Sequence, residues 1–245
     1  MRTNKMFFLC FFILFITGCS RTLILLSPED LYYIGNHYMQ QKNYRSAADQ
    51  FERIIKDYPT SEYAAVSQFK LAESLYMRKS YSKSALEFEL FLEFNPGHKL
   101  APQAQYYLAM SKFNEIINPE RDITVAIESK KNLEQFLLKY KDHPDYAQVE
   151  VHLAKVIDHL QIHEIEVAKS YIRMRYYQSA IDRLKPVLES KASEGVRQQA
   201  LYQLGRANLY AKNSDEARKY LNQAASSTAD AKYQHRARKL LRRLS

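Results

Sequence analysis

The stretch from Leu31 to Pro59, LYYIGNHYMQQKNYRSAADQFERIIKDYP, predicts a hairpin of two helices. Its large apolar residues recur at helical spacing, and Gly35 and Ala47 are small at the two places where antiparallel helices would touch. Phe51 would fill the space between the helices. Pro59 would end the second helix, because proline has no backbone N–H with which to continue it.

The pattern of this hairpin returns along the chain. A large residue followed by a small one marks each repeat: Ile34-Gly35, Leu71-Ala72, Leu108-Ala109, Val167-Ala168 and Leu204-Gly205. The step is 37 residues except across the third repeat, where the distance from Phe88 to Phe136, and from Pro96 to Pro144, is 48. A fixed step with small and aromatic residues in phase is typical of tetratricopeptide (TPR) repeats. We expect the third repeat to carry eleven extra residues around 114–125.

The predicted fold is all-α: a superhelical solenoid of five TPR-type helical hairpins with a C-terminal capping helix. We place the hairpins at about 28–60, 65–98, 102–144, 161–192 and 198–228. Residues 146–160 would form an added helix that runs into repeat four, and 229–244 would cap the last apolar face. A generic helical bundle is the alternative, and the recurring step disfavours it.

The N-terminus has the features of a bacterial lipoprotein signal. Arg2 and Lys5 precede an apolar run, 6–16, that is too short to span a bilayer. Ile16-Thr17-Gly18-Cys19 then resembles a lipobox. We predict a signal peptide over 1–18, a lipidation site at Cys19 that carries diacylglycerol and an N-acyl chain, and a tether over 19–27. A secretory signal with a chance cysteine is the alternative. By the same resemblance, Ser20 favours the outer membrane, with the body in the periplasm.

Charge favours acidic partners. The chain has 36 Lys and Arg against 27 Asp and Glu, a formal net charge of +9. A secreted chain makes nucleic acid a poor partner, so an acidic protein or an anionic lipid surface is preferred. Six basic residues fall within the last eleven: His235, Arg236, Arg238, Lys239, Arg242 and Arg243. They form either a solvated helix face or a docking site, and the sequence leaves this open.

The first helices of stacked hairpins line the concave face of a solenoid. In repeats one to three this face would carry a peptide-binding groove of aromatic, Met and polar side chains: Tyr32, Asn36, Met39, Phe69, Glu73, Tyr76, Tyr106, Met110 and Phe113. Such a groove suits an extended peptide with aromatic side chains. Packing between repeats is the equally weighted alternative for each of them. The same face is more basic in repeat five, where Tyr202 and Arg206 could dock a folded acidic partner.

Motifs for chemistry are absent. His152, His159 and His163 share a helical face, but the mature chain has no thiol to complete a zinc site, and solvated or capping histidines are preferred. Glycines are too few for a phosphate-binding loop. We therefore predict a protein that is not an enzyme and that holds no metal and no cofactor other than the lipid on Cys19.

The lipobox followed by five repeats resembles the BamD family of outer membrane protein assembly factors. The most specific segment is Leu160-x3-Glu164-x2-Val167-Ala168-x2-Tyr171, which continues to Ala180-Ile181 and Arg183. One departure is Met174-Arg175, where the family usually has Arg-Gly.

The resemblance implies a non-catalytic lipoprotein of the β-barrel assembly (BAM) machinery. Residues 28–144 would bind the C-terminal aromatic signal of unfolded outer-membrane proteins, and 145–245 would dock the BamA insertase. Other BAM lipoproteins are further candidate partners. Glu164, Tyr171 and Arg183 would join Tyr202 and Arg206 in docking. Arg183 is the best candidate for coupling, with a surface salt bridge as its alternative. A TPR scaffold lipoprotein for cell-wall or division complexes remains the competing function.

Overall fold

The computed structural model describes residues 25–116 and 123–244, and its regular elements are all helices. These ranges contain eleven helices: α1 Pro28–Gln40, α2 Tyr44–Asp57, α3 Tyr63–Met77, α4 Tyr81–Phe94, α5 Ala101–Asn114, α6 Ile123–Lys139, α7 Tyr146–Arg173, α8 Tyr177–Glu189, α9 Glu194–Tyr210, α10 Ser214–Ser226 and α11 Ala231–Leu241. None of the described helices is both long and apolar enough to cross a bilayer. The predicted signal peptide (1–18), Cys19, residues 20–24 of the predicted tether and residues 117–122 of the predicted insertion lie outside the described ranges.

The helices pair into the five predicted hairpins, α1/α2 through α9/α10, and each helix packs against the next one along the chain. α11 packs against α9 and α10 and covers the end of the stack. The all-α solenoid of TPR-type hairpins with a capping helix is therefore confirmed. We call the first helix of each hairpin A and the second B. The A–B edge is where A helices end and B helices begin, and the B–A edge is the opposite one.

The A–B turns of four hairpins share one geometry. A basic residue with positive φ follows each A helix: Lys42, Lys79, Arg175 and Lys212, with φ between 58° and 66°. In the first turn, the N–H of Asn43 donates to the Tyr38 carbonyl and that of Lys42 donates to the Met39 carbonyl. This pair of bonds is a Schellman motif, and the other three turns repeat it. Arg175 thus occupies a backbone position that favours glycine, which is the residue usual there in the resembling family.

Two glycines allow the helices of a hairpin to approach closely. A Cβ built on Gly35 would lie 2.7 Å from Cε1 of Phe51, and one on Gly205 would lie 2.5 Å from Cγ of Leu221. Phe51 and Leu221 are both fully buried. The predicted reason for a small residue at this place in the repeat, close contact between helices A and B, therefore holds at both ends of the solenoid.

We expect Gly205→Ala to destabilise the protein by about 1–3 kcal/mol, because Leu221 must move within a packed core. Alanine is the better helix former by roughly 1 kcal/mol, but this gain does not offset the clash. Gly195 is the second residue of the same helix, and nothing lies within 4 Å of a Cβ built on it. Gly195→Ala is therefore the matched control, expected to be neutral or slightly stabilising. Urea unfolding measures both, and equal midpoints for the two variants would contradict the close-packing argument.

The register predicted for the third repeat was wrong by three residues. The last turns of α2, α4 and α6 end alike, with Tyr58, Asn95 and Tyr140 donating to the carbonyls of Ile54, Phe91 and Phe136. Phe136 therefore corresponds to Phe91, and Leu133 takes the place of Phe88. The step is 45 residues, and the insertion is shorter than the eleven residues predicted. The prolines misled the alignment because Pro144 stands further beyond its helix than Pro96 does.

The long helix α7 belongs to two cores. Val149 and Val156 are buried with Leu133 and Phe136 of repeat three. Further along, Ile165, Ala168 and Ile172 are buried with the B helix of repeat four. The predicted added helix and the A helix of repeat four are thus one helix of 28 residues. The predicted division at 144/145 into two functional halves stays a prediction. α7 begins just after it, at Tyr146, and packs against α6 on the other side.

A buried glutamine fixes the capping helix. Gln198 on α9 is fully buried, and its Nε2 donates to the carbonyls of Ala224 (2.9 Å) and Ser227 (2.8 Å). Its Oε1 accepts from the N–H of Asp230 at 2.6 Å. Asp230 in turn caps α11 through Oδ1, which accepts from the N–H of Lys232. One side chain therefore holds the end of α10 and the start of α11 together.

Candidate functional site

A row of aromatic rings crosses the A helices of repeats two and three. Ring centroids are 5.0 Å apart for Tyr76 and Tyr107, 5.4 Å for Tyr107 and Tyr106, and 5.8 Å for Tyr106 and His143. Burial raises the pKa of both Tyr106 and Tyr107 to about 12. Both phenols therefore stay neutral near pH 7 and can donate a hydrogen bond. The sequence missed Tyr107 and His143, because neither occupies one of the repeat positions assigned to the concave face.

The polar members of the predicted groove already have partners. Nδ2 of Asn36 donates to the Tyr32 carbonyl at 2.9 Å, and Glu73 forms an ion pair with Lys70 at 2.7 Å. The hydroxyl of Ser74 is 3.0 Å from the sulfur of Met39. These contacts hold the side chains in defined positions on α1 and α3. Binding of a peptide would therefore cost less side-chain conformational entropy.

Three of the proposed site residues belong to the core. Phe69 is 3% exposed and packs edge-on against Phe88 and Phe91. Met110 is 5% exposed, and Tyr202 is 8% exposed with its ring 5.5 Å from that of Tyr233. Their positions in the repeat face the neighbouring hairpin rather than solvent, so the packing alternative is correct for these three. Contact with a peptide or a docked partner is not available to them.

The remaining groove aromatics are half-buried. Tyr32 contacts Tyr63 at 5.3 Å and Phe51 at 6.0 Å. Phe113 lies 4.4 Å from the ring of His152, and it lines a cavity of about 280 Å³ with Asn114 and His159. Tyr76 accepts a hydrogen bond from Asn114 at 3.2 Å. The predicted groove is therefore an aromatic surface with partly exposed rings over a core that contains the others.

The proposed docking residues of repeat four form one cluster. Nη1 of Arg183 on α8 lies 2.7 Å from Oε2 of Glu164 on α7, and its guanidinium lies 5.9 Å from the Tyr171 ring centroid. The hydrogen bond and the negative charge of Glu164 raise the pKa of Arg183. The side chain of Arg183 is nevertheless 44% exposed. The surface salt bridge weighed as an alternative is present, and it leaves part of the guanidinium open to a partner.

A second basic and aromatic cluster lies on repeat five. Arg206 lies 5.8 Å from the Tyr202 ring and 5.9 Å from the Tyr210 ring, and it donates to Oε1 of Gln203 at 2.8 Å. Tyr210 is 48% exposed and contacts Tyr177 at 5.7 Å. Arginine and tyrosine are enriched at protein interfaces. Sequence reasoning missed Tyr177 and Tyr210, which come from different repeats and meet only through the stacking of α8 on α9.

The three histidines of α7 do not gather into a metal site. Within the described ranges, no group of three His, Cys, Asp or Glu side chains is placed to hold an ion. Burial lowers the pKa of His152 and His159, and Lys155 adds to the effect on His152. Both rings are thus neutral near pH 7, and His152 packs against Phe113 as part of the junction between α5 and α7.

Comparison with known proteins finds a matching family of outer membrane lipoproteins. A profile described as outer membrane lipoprotein YfiO matches residues 26–219. Two curated relatives are each named outer membrane protein assembly factor BamD. The one from Rickettsia prowazekii is 23% identical over 212 residues, 86% of this chain and 84% of its own. The one from Caulobacter vibrioides is 24% identical over 191 residues, 78% of this chain and 63% of its own. A solved TPR repeats protein from Bacteroides fragilis covers 87% of this chain and 97% of its own at 16% identity, with a TM-score of 0.46.

Proposed function

This chain belongs to the YfiO family of outer membrane lipoproteins, and we propose that it is a non-catalytic outer membrane protein assembly factor. In this role it binds unfolded outer-membrane proteins and a BamA-like β-barrel insertase, and promotes folding and insertion. The observation that best supports this proposal is the extent of the family match, which runs from the start of α1 into α10. It includes the aromatic surface of repeats one to three and the basic clusters of repeats four and five. The names of the two relatives point to the same role.

We propose that Cys19 anchors the protein. A diacylglycerol and an N-acyl chain on one cysteine give firm attachment, since each buried CH₂ contributes about 0.8 kcal/mol. The body would then face the periplasm from the outer membrane. Intact mass measurement of the membrane-extracted protein tests this, because acylation adds the mass of the lipid and signal cleavage removes residues 1–18.

The aromatic surface of repeats one to three is proposed to bind the C-terminal segment of unfolded outer-membrane proteins. A peptide that ends in an aromatic residue would stack on rings that Tyr63, Tyr81 and Tyr107 hold in place. Neutral tyrosine hydroxyls could donate to the peptide backbone or to its terminal carboxylate. The surface therefore combines apolar contact with hydrogen-bond donors.

We expect Tyr32→Ala to weaken binding of such a peptide about 5- to 30-fold, because truncating an aromatic contact residue typically costs about 1–2 kcal/mol. The matched control is Tyr33→Ala, which removes the same side chain from the next position. Tyr33 is 65% exposed and lies about 100° further round α1 than Tyr32, whose ring contacts Tyr63. The rings of Tyr32 and Tyr33 meet only edge-on, at 6.4 Å. Fluorescence anisotropy with a labelled peptide gives both affinities. If Tyr33→Ala weakens binding as much as Tyr32→Ala does, the groove has been assigned to the wrong face.

The complete proposal is tested by co-purification. We expect the full-length, membrane-extracted protein to bring down a β-barrel insertase in a mild detergent. Recovery of cell-wall or division proteins instead would favour the competing scaffold function. Recovery of neither, from membranes in which the insertase is present, would contradict the docking proposal.

A further inference from the structure

We infer that the B–A edge of the solenoid, from Leu25 through Phe94 to Leu138, lies against the lipid bilayer. The inference goes beyond the proposed assembly role and rests on the proposed acylation of Cys19. It concerns how the body is held once the acyl chains are inserted. The occupant of this edge is the surface of the membrane that holds the anchor.

The first observation is where the tether leaves the body. The Tyr58 hydroxyl donates to the Leu26 carbonyl at 2.9 Å, and Tyr58 stands directly after the end of α2. The described chain therefore begins at the B–A edge. Six residue steps separate Cys19 from Leu25, and at about 3.3–3.6 Å a step they reach at most about 20 Å. Since α1 has 13 residues and is about 20 Å long, the opposite edge lies at or beyond that reach.

The second observation is how exposed apolar side chains are distributed. Among the large apolar residues of the described ranges, Leu138 (78% exposed), Leu25 (77%) and Phe94 (75%) are the most exposed. All three lie at the B–A edge: Leu25 precedes α1, Phe94 ends α4 and Leu138 is the last but one residue of α6. Residues this exposed cost free energy in water and are favourable at a bilayer interface.

Two grooves adjoin these residues, and their linings are partly apolar and partly polar or charged. Phe94 lines a shallow groove of about 360 Å³ with Ile55, three residues before Tyr58, and Pro59, directly after it. Leu138 borders a larger groove of about 570 Å³, whose lining includes Leu137 and Leu153. Both grooves open near the turns from B to A helices.

The charges at the B–A edge do not favour a protein partner over the membrane. Lysines and acids are mixed there, as in Lys56 beside Asp57 and Lys141 beside Asp142. An acidic protein would find no uniform positive field, and an apolar interface needs none. Glu29 and Asp30 in the first turn of α1 add two exposed acids beside Leu25 at the same edge, so its charge is mixed rather than uniformly positive.

The absence of tryptophan from the chain makes the inference directly measurable. Phe94→Trp and Leu138→Trp each introduce a single tryptophan at the proposed contact edge. Tyr176→Trp is the matched control, because Tyr176 is 61% exposed at the A–B edge. Each full-length acylated protein is reconstituted into phosphatidylcholine vesicles with acyl chains brominated near the glycerol end, and into ordinary phosphatidylcholine vesicles.

We expect bromination to reduce the fluorescence of Phe94→Trp and Leu138→Trp about twofold, because an interfacial side chain sits roughly 5–10 Å into the headgroup boundary. Tyr176→Trp should be almost unaffected. Vesicle flotation and intact mass are recorded on the same samples. If the protein is acylated and floats, but quenching at 94 or 138 is no greater than at 176, this inference is overturned and the anchoring proposal stands. If the protein carries no lipid and does not float, both fall.

Discussion

Arg183→Glu is expected to weaken binding of the BamA-like insertase, the proposed folded partner, by about 30-fold or more. At present the guanidinium is held by Glu164 at 2.7 Å and lies over the Tyr171 ring, with 44% of the side chain exposed. A charge offered in a fixed position loses little entropy on binding, and truncating one partner of an interface charge pair costs about 2–5 kcal/mol. Reversing the charge also places two carboxylates side by side, which would repel an acidic partner.

The fold should tolerate this substitution. Arg183 and Glu164 are both partly exposed, and such pairs contribute about 1 kcal/mol or less to stability. Lys185→Glu provides the control, since it makes the same charge change on α8 at an exposed residue about 200° further round the helix. Calorimetry with the periplasmic part of the insertase measures all three proteins. If Lys185→Glu weakens binding as much as Arg183→Glu does, the loss of affinity comes from the change in net charge. The cluster of Glu164, Tyr171 and Arg183 would then have no specific role in docking.

The solenoid could be predicted from the sequence because each repeat pairs one large and one small residue for a physical reason. The fit of Gly35 against Phe51, and of Gly205 against Leu221, is visible as a fixed spacing in the chain. The third repeat failed in register because two large residues, Leu133 and Phe136, both fit the pattern. Only the last hydrogen bonds of α6 decide between them.

The candidate site was less predictable than the fold. Whether Phe69 or Tyr76 reaches solvent depends on how far one hairpin rotates over the next, and that rotation has no signature in a single repeat. The two residues are seven apart on α3, yet one is core and the other is half-buried beneath Asn114. Glu164 and Arg183 were grouped by resemblance rather than by spacing; they form an ion pair, and their docking role stays a prediction. The exposed Phe94 and Leu138 gave no signal, since an apolar residue near the end of a helix is normally read as core.

Gln198→Ala is expected to destabilise the protein by about 2–4 kcal/mol, although glutamine inside a helix reads in the sequence as a surface residue. The substitution removes hydrogen bonds to two carbonyls and to the Asp230 N–H, all of them at the junction of α10 and α11. Buried groups left without partners cost roughly 1–3 kcal/mol each, and water reaching the exposed loop would recover part of that.

The loss of stability should be greatest in the capping helix α11. This distinguishes a local role of Gln198 from a general destabilisation of the protein. α11 carries Lys232, Arg236 and Arg238, and its hold on the stack otherwise comes mainly from Tyr233 and Ala237. Hydrogen exchange should therefore accelerate in α11 well before it does in α1 to α4, and urea unfolding gives the total change. Gln199→Ala, at the half-buried neighbouring position, should shift stability by no more than about 0.5 kcal/mol. Uniform acceleration across all helices would show that Gln198 supports the whole solenoid, whereas the hydrogen bonds place it between α9 and its cap.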